Sequence, residues 1–130
     1  MSKVNTTKTN FNPVEQFDLY VAHVGINADN ANEAKKIVNL FTTLMGLPTQ
    51  EQSPSFFAGT LIEVMKQNGR GTNGHIGFHV NNISAAEKYF SDRGFKIDET
   101  SRRLNSDGST FLVYFKEEIA GFAIHLTIDK

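Results

Sequence analysis

The chain has 130 residues, 39% of them hydrophobic, with eleven phenylalanines and a formal net charge of -1. This composition predicts one globular domain, or two half-size modules sharing a core. The near-neutral charge does not favour binding to nucleic acid or to an anionic membrane. The chain has no cysteine, which excludes disulfides, thiolate catalysis and thiolate metal sites, and no apolar run approaches the roughly 20 residues of a membrane span. We therefore expect a cytoplasmic protein that binds neither nucleic acid nor membrane.

The first elements form a strand followed by a helix. Residues 1–16 are polar and rich in Asn and Thr, which predicts a flexible leader that lacks the apolar segment of a secretory signal. From Phe17, "FDLYVAHVGINA" alternates apolar and polar residues, as a half-buried strand does. The next segment, "DNANEAKKIVNLFTTLMG", has helical spacing, with a cap at Asp29 or Asn30 and an end at Gly46. Its predicted inner stripe comprises Ala34, Ile37, Val38, Phe41, Leu44 and Met45.

Three short strands are predicted next: one from Thr49 to Gln52, then "SFFAG", then "TLIEVMK" from Thr60. The glycine-rich loop "QNGRGTNG" closes this half of the chain. The second half starts with the strand "HIGFHV" and the helix "NNISAAEKYFSDRG", whose inner side is predicted to carry Ala86, Tyr89 and Phe90. Three further strands follow, "FKIDET", "TFLVYFKEE" and "GFAIHLTI", with "NSDG" as the turn between the first two.

The order strand, helix and three strands thus occurs twice. "HVGINADN" can be overlaid on "HIGFHVNN", and "LMGLP" on "DRGFK". The pattern predicts an α+β domain over residues 17–130, with βαβββ repeats at about 17–67 and 74–130.

Strand alternation predicts a functional face, because successive side chains leave opposite faces of a sheet. Aliphatic and aromatic residues take the core face of each strand; on the closing strand they are Phe122, Ile124, Leu126 and Ile128. The opposite face receives His23, Glu63, His75, His79 and His125.

A curled sheet would bring most of these side chains together. Three nitrogens and one oxygen, from His23, Glu63, His75 and His125, suit Zn, Ni, Fe, Co or Mn. A lone histidine in a strand is more often a half-buried polar residue than a ligand, but four such groups at matching positions favour a metal site. For His79, lining of the cavity and surface exposure both remain open.

Four motifs carry a resemblance to a known family: "HVGI", "IEVMK" before the glycine-rich loop, "GHIGFHV" and "GFAIHL". From about Phe17 to Asp129 the chain resembles the vicinal oxygen chelate superfamily. That superfamily includes glyoxalase I, methylmalonyl-CoA epimerase, extradiol dioxygenases and the fosfomycin and bleomycin resistance proteins. The resemblance implies a curled mixed sheet that cups the active site, with the helices on its convex face.

The resemblance also implies a ligand set and a chemistry. The superfamily's ligand positions correspond to His23, Glu63, His75 and His125, and the bound divalent metal (Zn, Ni, Co, Fe or Mn) stabilises an enediolate as a Lewis acid. The implied activity is that of a metal-dependent lyase or isomerase of glyoxalase or epimerase type, with Glu63 or His125 as the base. His125 stands where the family usually has a glutamate, in "IHL" rather than "IEL". This departure removes the usual base and weakens a dioxygenase interpretation.

Two other functions stay open. One is a metal-free binding module of the bleomycin-resistance kind. The other is an accessory domain acting with a sugar-acid aldolase. This alternative arises because the sequence motifs also resemble small bacterial proteins of the superfamily that are labelled keto-deoxy-phosphogluconate or keto-hydroxyglutarate aldolases. Such an aldolase is a TIM barrel, which needs more than 130 residues.

Substrate contacts are predicted at three positions. Arg70 and Arg102, with the neighbouring Arg103, could hold a carboxylate or phosphate, although exposed loop and strand charges are the commoner situation. His79 is the third candidate. We also expect a homodimer, because a lone curled sheet of this size leaves strand edges exposed.

Overall fold

A computed structural model describes residues 12–129 as a single mixed sheet with helices against it. The helices are α1 (Pro13–Gln16), α2 (Ala31–Met45) and α3 (Ile83–Ser91). The strands are β1 (Tyr20–Asn27), β2 (Thr49–Glu51), β3 (Ser55–Ala58), β4 (Ile62–Met65), β5 (Gly74–His79), β6 (Ile97–Leu104), β7 (Thr110–Phe115) and β8 (Phe122–Thr127). Within residues 12–129, none of the helices has the length and hydropathy needed to cross a bilayer.

The strand order β2-β3-β4-β1-β5-β8-β7-β6 shows that the two halves are built alike. In each half the first strand pairs in parallel with the last, β1 with β4 and β5 with β8. The halves meet at the antiparallel β1–β5 pair. The sheet is curled and its two ends do not close on each other among the described strands. The predicted α+β fold of two βαβββ repeats is confirmed.

Helix α2 covers the first half of the sheet. Asn30 caps it by accepting a hydrogen bond from the Glu33 backbone N–H at 2.9 Å, and Gly46 ends it with a left-handed φ of 70°. Ala34 and Val38 are fully buried against β3 and β4. Leu44, predicted on the inner stripe, is 80% exposed. It lies at the edge of the stripe, beyond the side chains that the sheet covers.

Helix α3 covers the second half in the same way. Asn82 caps it by accepting from the Ala85 backbone N–H at 3.0 Å. Ala86 is buried in this second core, and Tyr89 and Phe90 pack against it, as predicted. Ile128, predicted to face the core, is 36% exposed because β8 ends at Thr127.

Several boundaries differ from the sequence prediction, most of all in the leader and in β6. Of the predicted leader, residues 1–11 lie outside the described residues, and Pro13–Gln16 form one helical turn capped by Asn12. Strand β6 continues to Leu104, beyond the predicted end at residue 100, and irregularities interrupt its pairing with β7. The turn predicted at "NSDG" is confirmed, with the Gly108 N–H donating to the Asn105 carbonyl at 3.0 Å.

Candidate metal centre

Two rows of residues cross the four central strands on the concave face of the sheet. In one row, Gly25 of β1 lies between Glu63 of β4 and His75 of β5. In the other, Gly77 of β5 lies between His23 of β1 and His125 of β8. Each functional side chain therefore has a glycine beside it, and the rings can lean over the glycines toward one another.

The four predicted ligands come together at the centre of these rows. Nε2 of His75 lies 3.1 Å from Oε1 of Glu63, and Nε2 of His23 lies 3.8 Å from the same oxygen. Nε2 of His125 lies 3.4 Å from Nε2 of His23. One ring nitrogen from each of the three histidines lies within 4.8 Å of the other two. These spacings bracket the edge of about 3.4 Å expected between ligands of a tetrahedral ion with bonds of about 2.0–2.1 Å.

The glycines are required for this convergence. A Cβ on Gly25 would overlap the ring of His75. A Cβ on Gly77 would lie 2.6 Å from the His125 ring and 2.8 Å from the His23 ring. Any other residue at either position would displace the histidine rings, because these rings fill the space above both glycines.

Burial keeps His23 and His125 uncharged near neutral pH. Desolvation, and then the neighbouring imidazoles, lower the pKa of His125 to about 3. Desolvation and His75 also lower the pKa of His23. A neutral imidazole has a lone pair on one of its two ring nitrogens, so His23 and His125 can each supply one metal ligand at physiological pH.

Glu63 is ionised in spite of its burial. Desolvation raises its pKa, but the hydrogen bonds from His75 and Ser55, together with the nearby imidazoles, outweigh this effect and leave the pKa lowered. The Ser55 hydroxyl donates to Oε2 at 2.7 Å, which leaves Oε1 facing the histidines. The centre thus combines three imidazoles with one carboxylate.

Two buried ring nitrogens have no hydrogen-bond partner among the described residues. Within residues 12–129, Nδ1 of His75 and Nδ1 of His125 are buried and accept or donate no hydrogen bond. Burying such an atom costs about 1–3 kcal/mol. The donor set, the spacing and the glycine-lined space all fit a divalent ion.

Sequence alternation alone could have added three residues to the site. Phe56 and Ala58 face the core, so Ser55 and Phe57 lie on the concave side; Ser55 orients Glu63, and Phe57 packs edge-on to His23 with centroids 6.3 Å apart. On β7 the same alternation places Tyr114 on the concave side. Its ring lies 4.8 Å from that of His125, and burial raises the pKa of its phenol to about 12.

The predicted substrate-binding residues lie outside the cluster. His79 is buried and stacks on Tyr20; its Nδ1–H donates to the Asp129 carbonyl at 3.0 Å, and its Nε2 lies 3.5 Å from a carboxylate oxygen of Asp18.

The other two predicted substrate-binding residues, Arg70 and Arg102, contact residues of the second half. The guanidinium of Arg70 stacks over Tyr114, 4.4 Å from the ring centroid, and lies 3.4 Å from the Asp98 carboxylate. Arg102 binds Glu87 through two nitrogens, at 2.6 and 2.9 Å, and also binds Glu99.

A cavity lies on each side of the cluster. One, of about 210 Å³, is bordered by His23, Phe57 and Gln50. The other, of about 360 Å³, is bordered by His75, Tyr114 and the arginines of β6. Each cavity is bordered by one histidine of the cluster, His23 or His75.

Comparison with known proteins identifies the architecture. No family model matches the chain, and no curated protein matches it either. Among solved structures, it is similar to a variant of the Streptomyces coelicolor methylmalonyl-CoA epimerase in complex with 2-nitronate-propionyl-CoA, with a TM-score of 0.51 and 15% identity over 82% of this chain and 94% of that one. The two proteins share a fold. Methylmalonyl-CoA epimerase is one of the proteins that the sequence motifs resemble, so the expected glyoxalase-like fold is confirmed. No comparison supports an association with the sugar-acid aldolases.

Proposed function

We propose that the protein is a metal-dependent isomerase or lyase of glyoxalase or epimerase type, acting on a small oxygen-rich substrate. The observation that carries this proposal is the convergence of three imidazole nitrogens and one carboxylate oxygen on the concave face. His23, His75 and His125, with Glu63, would hold Zn, Ni, Co, Fe or Mn. When bound, the metal supplies Lewis-acid stabilisation of negative charge on a substrate oxygen.

Of the two candidate bases, the geometry favours Glu63. The pKa of His125, at about 3, leaves this buried imidazole a weak acceptor of protons. Glu63 is ionised, its side chain is 13% exposed, and Ser55 fixes its orientation. We propose that the three histidines alone can hold the ion, and that Oε1 of Glu63, when it is not a ligand, takes a proton from a carbon beside a carbonyl group and returns it.

Substrate contacts are assigned on the same basis. Arg70 stays a substrate-binding candidate because it stands over Tyr114 at the cavity wall. Two carboxylates bind Arg102, and the Asp129 carbonyl binds His79. We therefore propose that Arg102 and His79 support the walls of the site and do not contact the substrate.

Metal content is the first test. We expect about one ion per chain in protein purified without an affinity tag or chelator, and less than a tenth of that in His23→Ala and His75→Ala. His79→Gln is the matched control, because it removes the one histidine outside the cluster, and it should retain the ion. A wild-type protein without metal, and without thermal stabilisation by any of the five ions, would overturn the proposal.

Proton transfer is tested separately with Glu63→Gln, which keeps the shape of the side chain and the Ser55 contact. We expect solvent deuterium to enter a panel of α-hydroxy carbonyl compounds with the wild-type protein. Exchange should be about 100-fold slower, or more, in the variant, as is typical for loss of a general base. Metal content should stay measurable. Equal exchange rates in the two proteins would remove Glu63 from this role.

A metal-free binding protein is the second candidate. The two flanking cavities favour it, since aromatic walls such as Phe57 and Tyr114 suit an apolar ligand. It predicts no stoichiometric metal, so the metal analysis separates the two functions.

We also propose a homodimer. The end strands β2 and β6 each leave one edge unpaired among the described strands, and Leu40 and Leu44 expose 72% and 80% of their surface on α2. Light scattering on the purified protein measures the mass directly, and a monomer at all concentrations would contradict this proposal.

A further inference from the structure

The larger cavity beside the cluster has an unusual charge balance. It lies between His75 and the β6–β7 hairpin, with apolar walls from Met65, Leu112 and Tyr114. Three arginines, Arg70, Arg102 and Arg103, complete the lining, and no acidic side chain belongs to it among the described residues. A cavity of this kind attracts anions.

The three arginines are not equivalent. Arg102 is neutralised by Glu87 and Glu99, whose hydrogen bonds raise its pKa well above the ordinary value. Arg70 has a longer contact, 3.4 Å, with the exposed Asp98 carboxylate, and its guanidinium lies flat on Tyr114.

Arg103 is the uncompensated cation. Its side chain takes part in no ion pair or hydrogen bond with residues 12–129. Thr100 and Ser101 of β6 border the same cavity, but their hydroxyl groups already donate hydrogen bonds to Asp98. An arginine without a carboxylate partner, at the wall of a cavity that leads to the cluster, has its five donors available for a ligand.

The smaller cavity on the opposite side differs in polarity. It is lined by the amides of Gln50 and Gln52, the hydroxyl of Thr60, and the carboxylate-bearing Asp129, with no lysine or arginine among its described residues. An anionic group is therefore favoured on the β6–β7 side of the cluster and disfavoured on the β2–β3 side.

We infer that the substrate is a small anion, whose carboxylate or phosphate group binds Arg103 and Arg70 while its reacting carbon lies beside Glu63. The placement of the reacting carbon rests on the proposed function; the anion site itself does not need the metal. The cavity volume of about 360 Å³ is at the lower end of the range for small-molecule sites, which restricts the substrate to a small molecule.

The anion site is tested by titrating the metal-free protein with lactate, its uncharged analogue lactamide, and inorganic phosphate, monitored by NMR at the Thr100 and Ser101 amides. Charge-assisted hydrogen bonds are strong enough that we expect lactate or phosphate to bind about 10-fold more tightly than lactamide. A preference between the two anions then distinguishes a carboxylate from a phosphate substrate.

Variants assign the binding to the named arginine. Arg103→Gln should weaken anion binding about 10-fold, whereas Lys116→Gln, which removes an equal charge outside this cavity, should leave it within about twofold. The inference would be overturned if neither lactate nor phosphate bound more tightly than lactamide, if neither amide shifted, or if Arg103→Gln left the affinity for the preferred anion unchanged. If the protein binds anions but takes up no metal, the proposed function alone is refuted. If the protein binds metal but does not bind anions, the inference alone is refuted.

Discussion

At the scale of single residues, the site depends on the absence of two side chains. Gly25 and Gly77 each lie between two functional groups on neighbouring strands, and the rings of His75, His23 and His125 occupy the space that a Cβ would take. Neither glycine has a backbone conformation that excludes other residues. The requirement for glycine therefore comes from the side chains across the strands.

This predicts that Gly25→Ala separates folding from metal binding. The added methyl group collides with the His75 ring, which is buried and has little room to move. We expect metal affinity to fall about 10-fold or more, the loss associated with displacing a ligand's support, while the circular dichroism spectrum is retained. Unchanged metal affinity would show that the ring can rotate away without leaving the cluster.

The lowered histidine pKa values predict a stability change in the metal-free protein. His125 takes up a proton at about pH 3 in the folded chain but at 6.5 when unfolded, so the unfolded state binds more protons between these values. The free energy of unfolding should therefore decrease as the pH falls below 6.5, by at most about 1.4 kcal/mol per pH unit for each such histidine.

Urea denaturation between about pH 5 and 6.5 measures this slope in a range where ordinary carboxylates stay ionised in both states. His23, whose pKa is also lowered, contributes with the same sign. A slope of zero in the chelator-treated protein would contradict the burial of neutral imidazoles.

At the scale of elements, Arg102 ties helix α3 to the β6–β7 hairpin. Its guanidinium binds Glu87 of α3, Glu99 of β6 and the Thr110 hydroxyl of β7. The hairpin carries Tyr114 against His125, so this arginine supports the wall of the site through the elements that it joins.

We expect Arg102→Gln to lower the free energy of unfolding by about 1 kcal/mol, less than for a fully buried charged pair because the side chain keeps solvent contact. Arg103→Gln, one residue further along the same strand, should leave stability nearly unchanged because it loses no partner within the described residues. Denaturant midpoints of the two variants provide the measurement. Equal destabilisation would show that both arginines are structural.

At the scale of the whole molecule, the cluster joins the two repeats. His23 and Glu63 come from the first half, and His75 and His125 come from the second. The halves also meet along the β1–β5 pair, and Phe17 of the first half packs in the apolar core of the second. A metal at the centre would cross-link the repeats.

Metal addition should therefore slow hydrogen exchange at the junction of the repeats. At a free metal concentration about 100 times the Kd, binding adds about 2.7 kcal/mol to stability, which corresponds to about 100-fold slower exchange of amides that open only on global unfolding. We expect β1 and β5 to show this protection in the wild type and not in His23→Ala. Protection confined to one repeat would mean that the ion does not bridge them.

Much of the architecture could be predicted from the sequence because its signals are local. The repeat, both long helices and the ends of α2 at Asn30 and Gly46 follow from spacing and capping within a few residues. The face of each central strand follows from alternation, so the group of His23, Glu63, His75 and His125 could be named before their distances were known. The prediction for Leu44 was wrong because burial at the edge of a helical stripe depends on how far the opposing sheet extends.

The sequence by itself determined which side chains share the concave face, because side-chain direction in a strand depends only on the position along it. Only the tertiary structure decided what those side chains meet. The β1–β5 and β5–β8 registers set the rings of His23 and His125 over Gly77, and packing of distant segments paired Arg102 with Glu87 while leaving Arg103 without a partner among residues 12–129. These contacts join residues far apart in the chain, and their energies depend on burial and distance, which no local pattern contains.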